Sequence, residues 1–260
     1  MGRRHQHLVH KFKDDAPRRD AMIGSLRVRV VDTGDAASGH AIVLVHGIGT
    51  SSRYFRPLIH ELRSDARVVA MDLPGFGASS RPREALSIPD LARVVGSVVH
   101  DAGLTRPVLV GHSMGCQVVA ELGVQEPDLA SGLVLIGPTV DPEKRGAVRH
   151  FFMLTYNSLY EPWWVNLLLL ADYVRCGPVQ YLKTLRPMLI HRIDRALSTA
   201  QQRAVVVRGT RDMVALHDWA TSATRLLSNG RLIEIPRHSH AAHATHPEGI
   251  AAICRDLLNG

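Results

Sequence analysis

The stretch 108–120 begins as an apolar, β-branched run, passes through Gly111-His112-Ser113-Met114-Gly115, and continues as an Ala/Val-rich helical pattern. A G-x-S-x-G sequence between strand and helix sets its serine on a sharp turn, with the hydroxyl lifted off the sheet edge. Glycines two residues before and two after suit that turn, because neighbouring chain passes too close for a Cβ. The N-terminus of the following helix favours negative charge developing beside it. These residue types at this spacing point to Ser113 as a nucleophile.

A serine hydroxyl is a poor nucleophile at neutral pH. It needs a base, a carboxylate to orient that base, and donors for the oxyanion. For the base, the segment 236–246 offers His238, His240, His243 and His246, and position favours His240 only modestly. The even spacing of His240, His243 and His246 is a weak metal pattern, since no carboxylate or thiolate cluster accompanies it; no metal site is expected. For the acid, Asp212 follows Gly209 after an apolar run and is the choice, with Asp141 a competitor. Asp72 reads as turn chemistry beside Pro74 and Gly75. The oxyanion donors are expected to be the backbone N–H of Met114, directly after the nucleophile, and of Ile48 in the loop His46-Gly47-Ile48-Gly49. His46 reads as a residue that holds this loop by hydrogen bonding.

Elements must carry these residues to one place. Ser25–Val31 alternates polar and apolar residues, as a half-exposed edge strand does, whereas 41–45, 68–71, 108–110, 133–136 and 204–207 are apolar on consecutive positions. Such runs suit parallel strands covered on both faces. Helical patterns lie between them, so the expected fold is α/β with a mostly parallel, doubly wound sheet and active groups on loops at the carboxyl ends of the strands. The rhythm breaks from 141 to about 199, where no buried strand is legible. This segment holds eight of the thirteen aromatic residues. Phe151, Phe152, Tyr156, Trp163 and Trp164 are expected to wall an apolar cleft, or to pack against the sheet domain.

The bulk numbers bound the reading. At 260 residues, with 45% hydrophobic and 21% charged content, the chain suits one large globular domain. Three widely spaced cysteines argue against a disulfide framework and suit a reducing cytoplasm. Much of the +7 charge is local: the first twenty residues hold six Lys/Arg against three Asp. Residues 1–24 read as a solvated basic arm, not a secretory signal, because no apolar region follows the arginines. A nucleic-acid face would interleave its cations with aromatics on a folded element, so no nucleic-acid partner is expected. The most apolar run, 163–171, falls far short of the roughly 20 residues of a membrane span.

Taken together, His46-Gly47-Ile48-Gly49, Asp72-Leu73-Pro74-Gly75-Phe76-Gly77, Gly111-His112-Ser113-Met114-Gly115, Gly209-Thr210-Arg211-Asp212 and His240 with Pro247-Glu248 resemble the α/β-hydrolase superfamily. The chain order Ser, Asp, His is that of the superfamily. The resemblance implies Ser113 as nucleophile, Asp212 as acid, His240 as base, and Ile48 and Met114 as oxyanion donors. It also implies a core of 25–140 and 200–260 with 141–199 as a helical lid. Cys116 stands where many relatives carry glycine. The group that cleaves carbon–carbon bonds usually has tryptophan after the histidine, where this chain has Ala241, and an asparagine near 51–55 that this chain lacks. Ser113 argues against the haloalkane dehalogenases and epoxide hydrolases of this fold, which use an aspartate nucleophile. The expected activity is hydrolysis of an ester or related acyl bond of a small, apolar substrate, without a cofactor. The alternatives are carbon–carbon or thioester hydrolysis by the same triad, or a small-molecule binding protein on this fold.

Overall fold

The computed structural model describes residues 16–259. Eight strands form one sheet in the order β1-β2-β4-β3-β5-β6-β7-β8. The parallel part comprises β3 (Ala41–Val45), β4 (Arg67–Met71), β5 (Val108–His112), β6 (Gly132–Ile136), β7 (Arg203–Gly209) and β8 (Gly230–Ile235).

Successive side chains of a strand point to opposite faces, and this chain uses both. Val43, Val69, Leu109, Leu133 and Val206 pack in one apolar layer. That layer includes residues of α2 (Ile88–Asp101), α3 (Met114–Gln125) and α8 (His217–Leu226). Their neighbours Leu44, Val68, Val110, Val134 and Val205 pack on the other side, with α1 (Arg56–Leu62) and α9 (Pro247–Leu258). The consecutive apolar runs therefore follow from burial on both faces. A capping box fixes the start of α2: the Ser87 side chain accepts from the Asp90 N–H, and the Asp90 carboxylate accepts from the Ser87 N–H.

Two expectations about the N-terminal region are corrected. Residues 1–15 of the basic arm lie outside the described residues, but Arg18–Ile23 is a strand, β1. It pairs antiparallel with β2 (Leu26–Asp32) through a turn at Gly24. β1 is the sheet edge, so β2 lies between β1 and β4. Within that run, Asp20 is matched across the hairpin: Arg29 Nε donates to Asp20 Oδ1 at 2.6 Å, with the two residues directly opposite.

Between β6 and β7 the chain inserts four helices: α4 (Ala147–Ser158), α5 (Trp163–Cys176), α6 (Pro178–Ile190) and α7 (Ile193–Thr199). Pro178 occupies the first turn of α6, where its missing N–H costs nothing, while Pro187 sits inside that helix near its end.

Candidate active site

Ser113 lies between β5 and α3 with φ 56° and ψ −118°, a strained conformation for a residue with a Cβ. Its N–H donates to the Ile136 carbonyl at 2.9 Å, which ties the turn to the end of β6. The flanking glycines are sterically required. A Cβ on Gly115 would collide with the Val45 carbonyl oxygen, and one on Gly111 with the Gly115 carbonyl oxygen. Cys116 packs beneath the turn, its Sγ 3.2 Å from the Gly111 carbonyl oxygen and 3.3 Å from that of Ile136. Burial pushes its thiol well above the ordinary range, so it is inert as a nucleophile at neutral pH.

The loop after β3 meets this turn. A Cβ on Gly47 would stand 3.0 Å from the Cβ of Ser113, so the backbone bearing Ile48 approaches the serine closely. Met114 opens α3, where the N–H groups have no carbonyl one turn back. His46 is buried and secures the loop. Its Nε2 accepts from the Leu73 N–H at 2.9 Å, so its Nδ1 carries the proton and donates to the Gly47 carbonyl at 2.7 Å. Asp72 is likewise a loop tie, accepting from the N–H groups of Ser52 and Ala78.

The four histidines of 236–246 have different fates. His240 Nδ1 is 2.9 Å from Asp212 Oδ2, and both side chains are buried. His238 Nδ1 meets Thr245 Oγ1 and its ring stacks on His246, which pairs with Glu248. His243 packs against Tyr54, Phe55 and His112 with neither ring nitrogen hydrogen-bonded. His240, His243 and His246 thus do not converge on a shared point. Asp141 accepts from the Glu143 N–H and pairs with Lys144, so it belongs to its own turn.

Asp212 is held on every side. Its Oδ1 accepts from the N–H groups of Val214 and Ala215 at 2.8 and 2.9 Å. Buried Arg208 braces the loop, donating to the carbonyls of Ala215 and Asp212 and pairing with Glu234.

Electrostatics separates His240 from the other buried imidazoles. Burial alone pulls its pKa down, but the Asp212 charge, the hydrogen bond to Asp212 and the charge of Glu161 together outweigh it, leaving His240 above its ordinary value. Burial lowers His243 to about 3 and His150 to about 4, each helped by repulsion from His240, and pushes His112 well below its ordinary value. A positive charge in this cluster is therefore best placed on His240. His240 Nε2 is buried and has no hydrogen-bond partner among the described residues.

Several contributing residues were not singled out from the sequence. His112, the variable residue before Ser113, donates from Nε2 to the His240 carbonyl at 3.2 Å and so ties the serine turn to the histidine loop. Gly137, with φ 57°, lies so close that a Cβ would stand 2.7 Å from the His240 ring and 3.1 Å from Asp212 Oδ2. Gly137→Ala is expected to shift the imidazole and lower kcat about a hundredfold, with KM changed far less; steady-state kinetics beside a thermal melt reads this.

The helical insertion reaches the same loops. Asn157 Oδ1 accepts from the Met213 N–H at 3.3 Å, next to Asp212, and Asn157 Nδ2 donates to Glu161 Oε1 at 3.1 Å. Glu161 Oε1 also accepts from the Ala241 N–H at 2.8 Å, next to His240. One buried pair thus bridges the loops of the acid and the histidine. Glu161 was legible as the sole carboxylate between Glu143 and Asp172. Asp172 accepts from Ser51 Oγ at 2.7 Å, close after the loop 46–49. Of the aromatic residues expected to wall a cleft or pack against the sheet domain, Phe151, Phe152, Tyr156 and Trp163 are 63%, 62%, 47% and 61% exposed. Trp164 packs inward near Tyr54, Val165 and Ala241.

The uncharacterized hydrolase YugF of Bacillus subtilis is 38% identical over 96 residues, covering 36% of this chain and 35% of that protein. The chain spans about a third of the length of the curated relatives it matches. Among solved structures, an esterase from Thermogutta terrifontis superposes with a TM-score of 0.80 at 20% identity, covering 94% of this chain and 98% of that one. The enol-lactonase of Burkholderia xenovorans LB400 gives 0.79 at 18%, covering 93% and 100%. These two likenesses are of fold. The model of the alpha/beta hydrolase family matches residues 42–253, from β3 through the serine turn and the histidine loop into the last helix, and the chain belongs to that family.

Proposed function

We propose that the protein is a serine hydrolase cleaving an ester or related acyl bond of a small, largely apolar substrate. The observation that carries this reading is the buried Asp212–His240 pair. Its unpartnered Nε2 belongs to a residue tied by His112 to the Ser113 turn. In this reading His240 Nε2 takes the Ser113 proton as Oγ attacks the carbonyl carbon. Asp212 holds the imidazole through Nδ1 and stabilises the cation. The N–H groups of Ile48 and Met114 bind the oxyanion. The imidazolium then protonates the leaving alcohol, and water deprotonated by His240 releases the acid and restores Ser113.

The helical insertion serves as the lid. A small cavity beside it has a mixed lining, with apolar Val140, Met153 and Trp219 facing polar Asp141, Lys144 and Arg149. A serine-directed fluorophosphonate is expected to label Ser113, with mass spectrometry locating the adduct, and short-chain p-nitrophenyl esters are expected to turn over. Absence of labelling would remove the hydrolase reading. Labelling with turnover of thioesters or carbon–carbon substrates alone would replace the ester.

A further inference from the structure

We propose that the outer face of the lid docks on an anionic lipid surface, holding the protein at the interface without spanning it. Thirteen of the fourteen large hydrophobic side chains that stand exposed among the described residues lie between Val148 and Ile190, the exception being Met22. On α5 they are Trp163, Leu167, Leu170 and Val174, a spacing that puts all four on one side of the helix. Phe152 and Leu159, on and just after α4, and Val179, Leu182 and Ile190 on α6 continue the pattern.

The inward faces of the same helices have apolar groups of their own: Val165 and Cys176 of α5 and Met188 of α6 are buried, beside polar Asp172, Gln180 and Thr184. An ordinary surface helix is apolar inward and polar outward. Helices α5 and α6, apolar on the outer side as well as toward the core, point to an apolar medium outside the lid. Single exposed hydrophobics need no explanation, but a contiguous set does.

Charge selects the occupant. Between 147 and 190 the exposed ionic side chains are Arg149, Arg175, Lys183 and Arg186. The two carboxylates of that span, Glu161 and Asp172, are buried. A second copy seated symmetrically on this face would set cations against cations with no exposed acid to answer them. Anionic headgroups over acyl chains complement both features, and Trp163 has the ring type that settles at such an interface. No helix among the described residues is long and apolar enough to cross a membrane, so the contact is peripheral.

The test is co-sedimentation of the full chain with vesicles of phosphatidylcholine containing 30 mol% phosphatidylglycerol (about one lipid in three), against vesicles of phosphatidylcholine alone. Binding to the anionic vesicles is expected, with a blue shift of tryptophan emission and weakening at high salt. Arg175→Gln, Lys183→Gln and Arg186→Gln combined are expected to weaken it about a hundredfold, at roughly fivefold per cation. Leu167→Glu, Leu170→Glu and Leu182→Glu combined are expected to abolish it. These positions are exposed, so both variants should melt like the parent and keep fluorophosphonate labelling in vesicle-free buffer, which separates failure of docking from failure of the hydrolase reading. No binding to anionic vesicles, equal binding to neutral ones, binding indifferent to either variant, or a dimer that the glutamates dissociate would each overturn the proposal.

Discussion

Ser113→Ala is expected to lower kcat/KM for a short-chain ester about a millionfold while leaving the fold intact. The structure makes this a clean comparison. The Ser113 side chain makes no capping hydrogen bond to α3, and the bond that locks the turn uses its backbone N–H, which alanine retains. Alanine also keeps the Cβ, so the cost of the conformation is the same in both proteins. Ser113→Gly should remove that cost, and a strained non-glycine backbone of this kind is worth about 1–3 kcal/mol. Part of the gain is lost to the greater freedom of glycine in the unfolded chain. The glycine variant is therefore expected to be as inactive as the alanine variant and to melt higher, by a few degrees (about 2–4 °C per kcal/mol at this size). Strain that raises stability when released and carries function when retained marks a turn kept for chemistry. An active alanine variant would remove Ser113 from the mechanism.

The legibility of the sequence varied with the range of the forces involved. The serine turn was readable because its glycines answer contacts made by backbone a few residues away or on the adjacent strand. The buried strands were readable because coverage on both faces forces unbroken apolar runs. β1 was not, since its charges make sense only beside the opposing arginines of β2. The choice among four histidines was equally opaque: it depends on which imidazole meets Asp212, 28 residues away. The exposure of aromatics in the helical insertion was not legible for a related reason. Periodicity marks apolar positions on a helix, but not which of them face the core, and in α5 Val165 is buried while Trp163, Leu167 and Leu170 face out.

A second consequence of the site is the isolation of charge. His112, His150 and His243 are all held neutral by burial around His240. In the proposed mechanism such neutral rings would neither compete for the proton nor repel a cation on His240. His243 packs against the rings of Tyr54 and Phe55.

Asp212→Asn is expected to lower kcat about ten-thousandfold, through a tautomer the surrounding backbone dictates. The Oδ1 position accepts from two N–H groups, those of Val214 and Ala215. An asparagine must present its carbonyl oxygen there, because the amide nitrogen would set donor against donor. Its NH2 then faces His240 Nδ1, which must become the acceptor, so the ring proton moves to Nε2. An Nε2–H imidazole cannot take the proton from Ser113. The same replacement changes the pH profile. In the parent, kcat/KM is expected to fall as pH drops through the His240 pKa, which lies above its ordinary value once Asp212 and Glu161 have outweighed burial. Without the Asp212 charge the burial penalty prevails, and the acid limb of the residual activity moves to lower pH. Asp141→Asn, whose carboxylate accepts from the Glu143 N–H and pairs with Lys144, should leave the pH profile unchanged. Steady-state kinetics from pH 5 to 9 (about the range over which His240 titrates) reads both variants. An active Asp212→Asn enzyme beside an inactive Asp141→Asn would transfer the role of the acid.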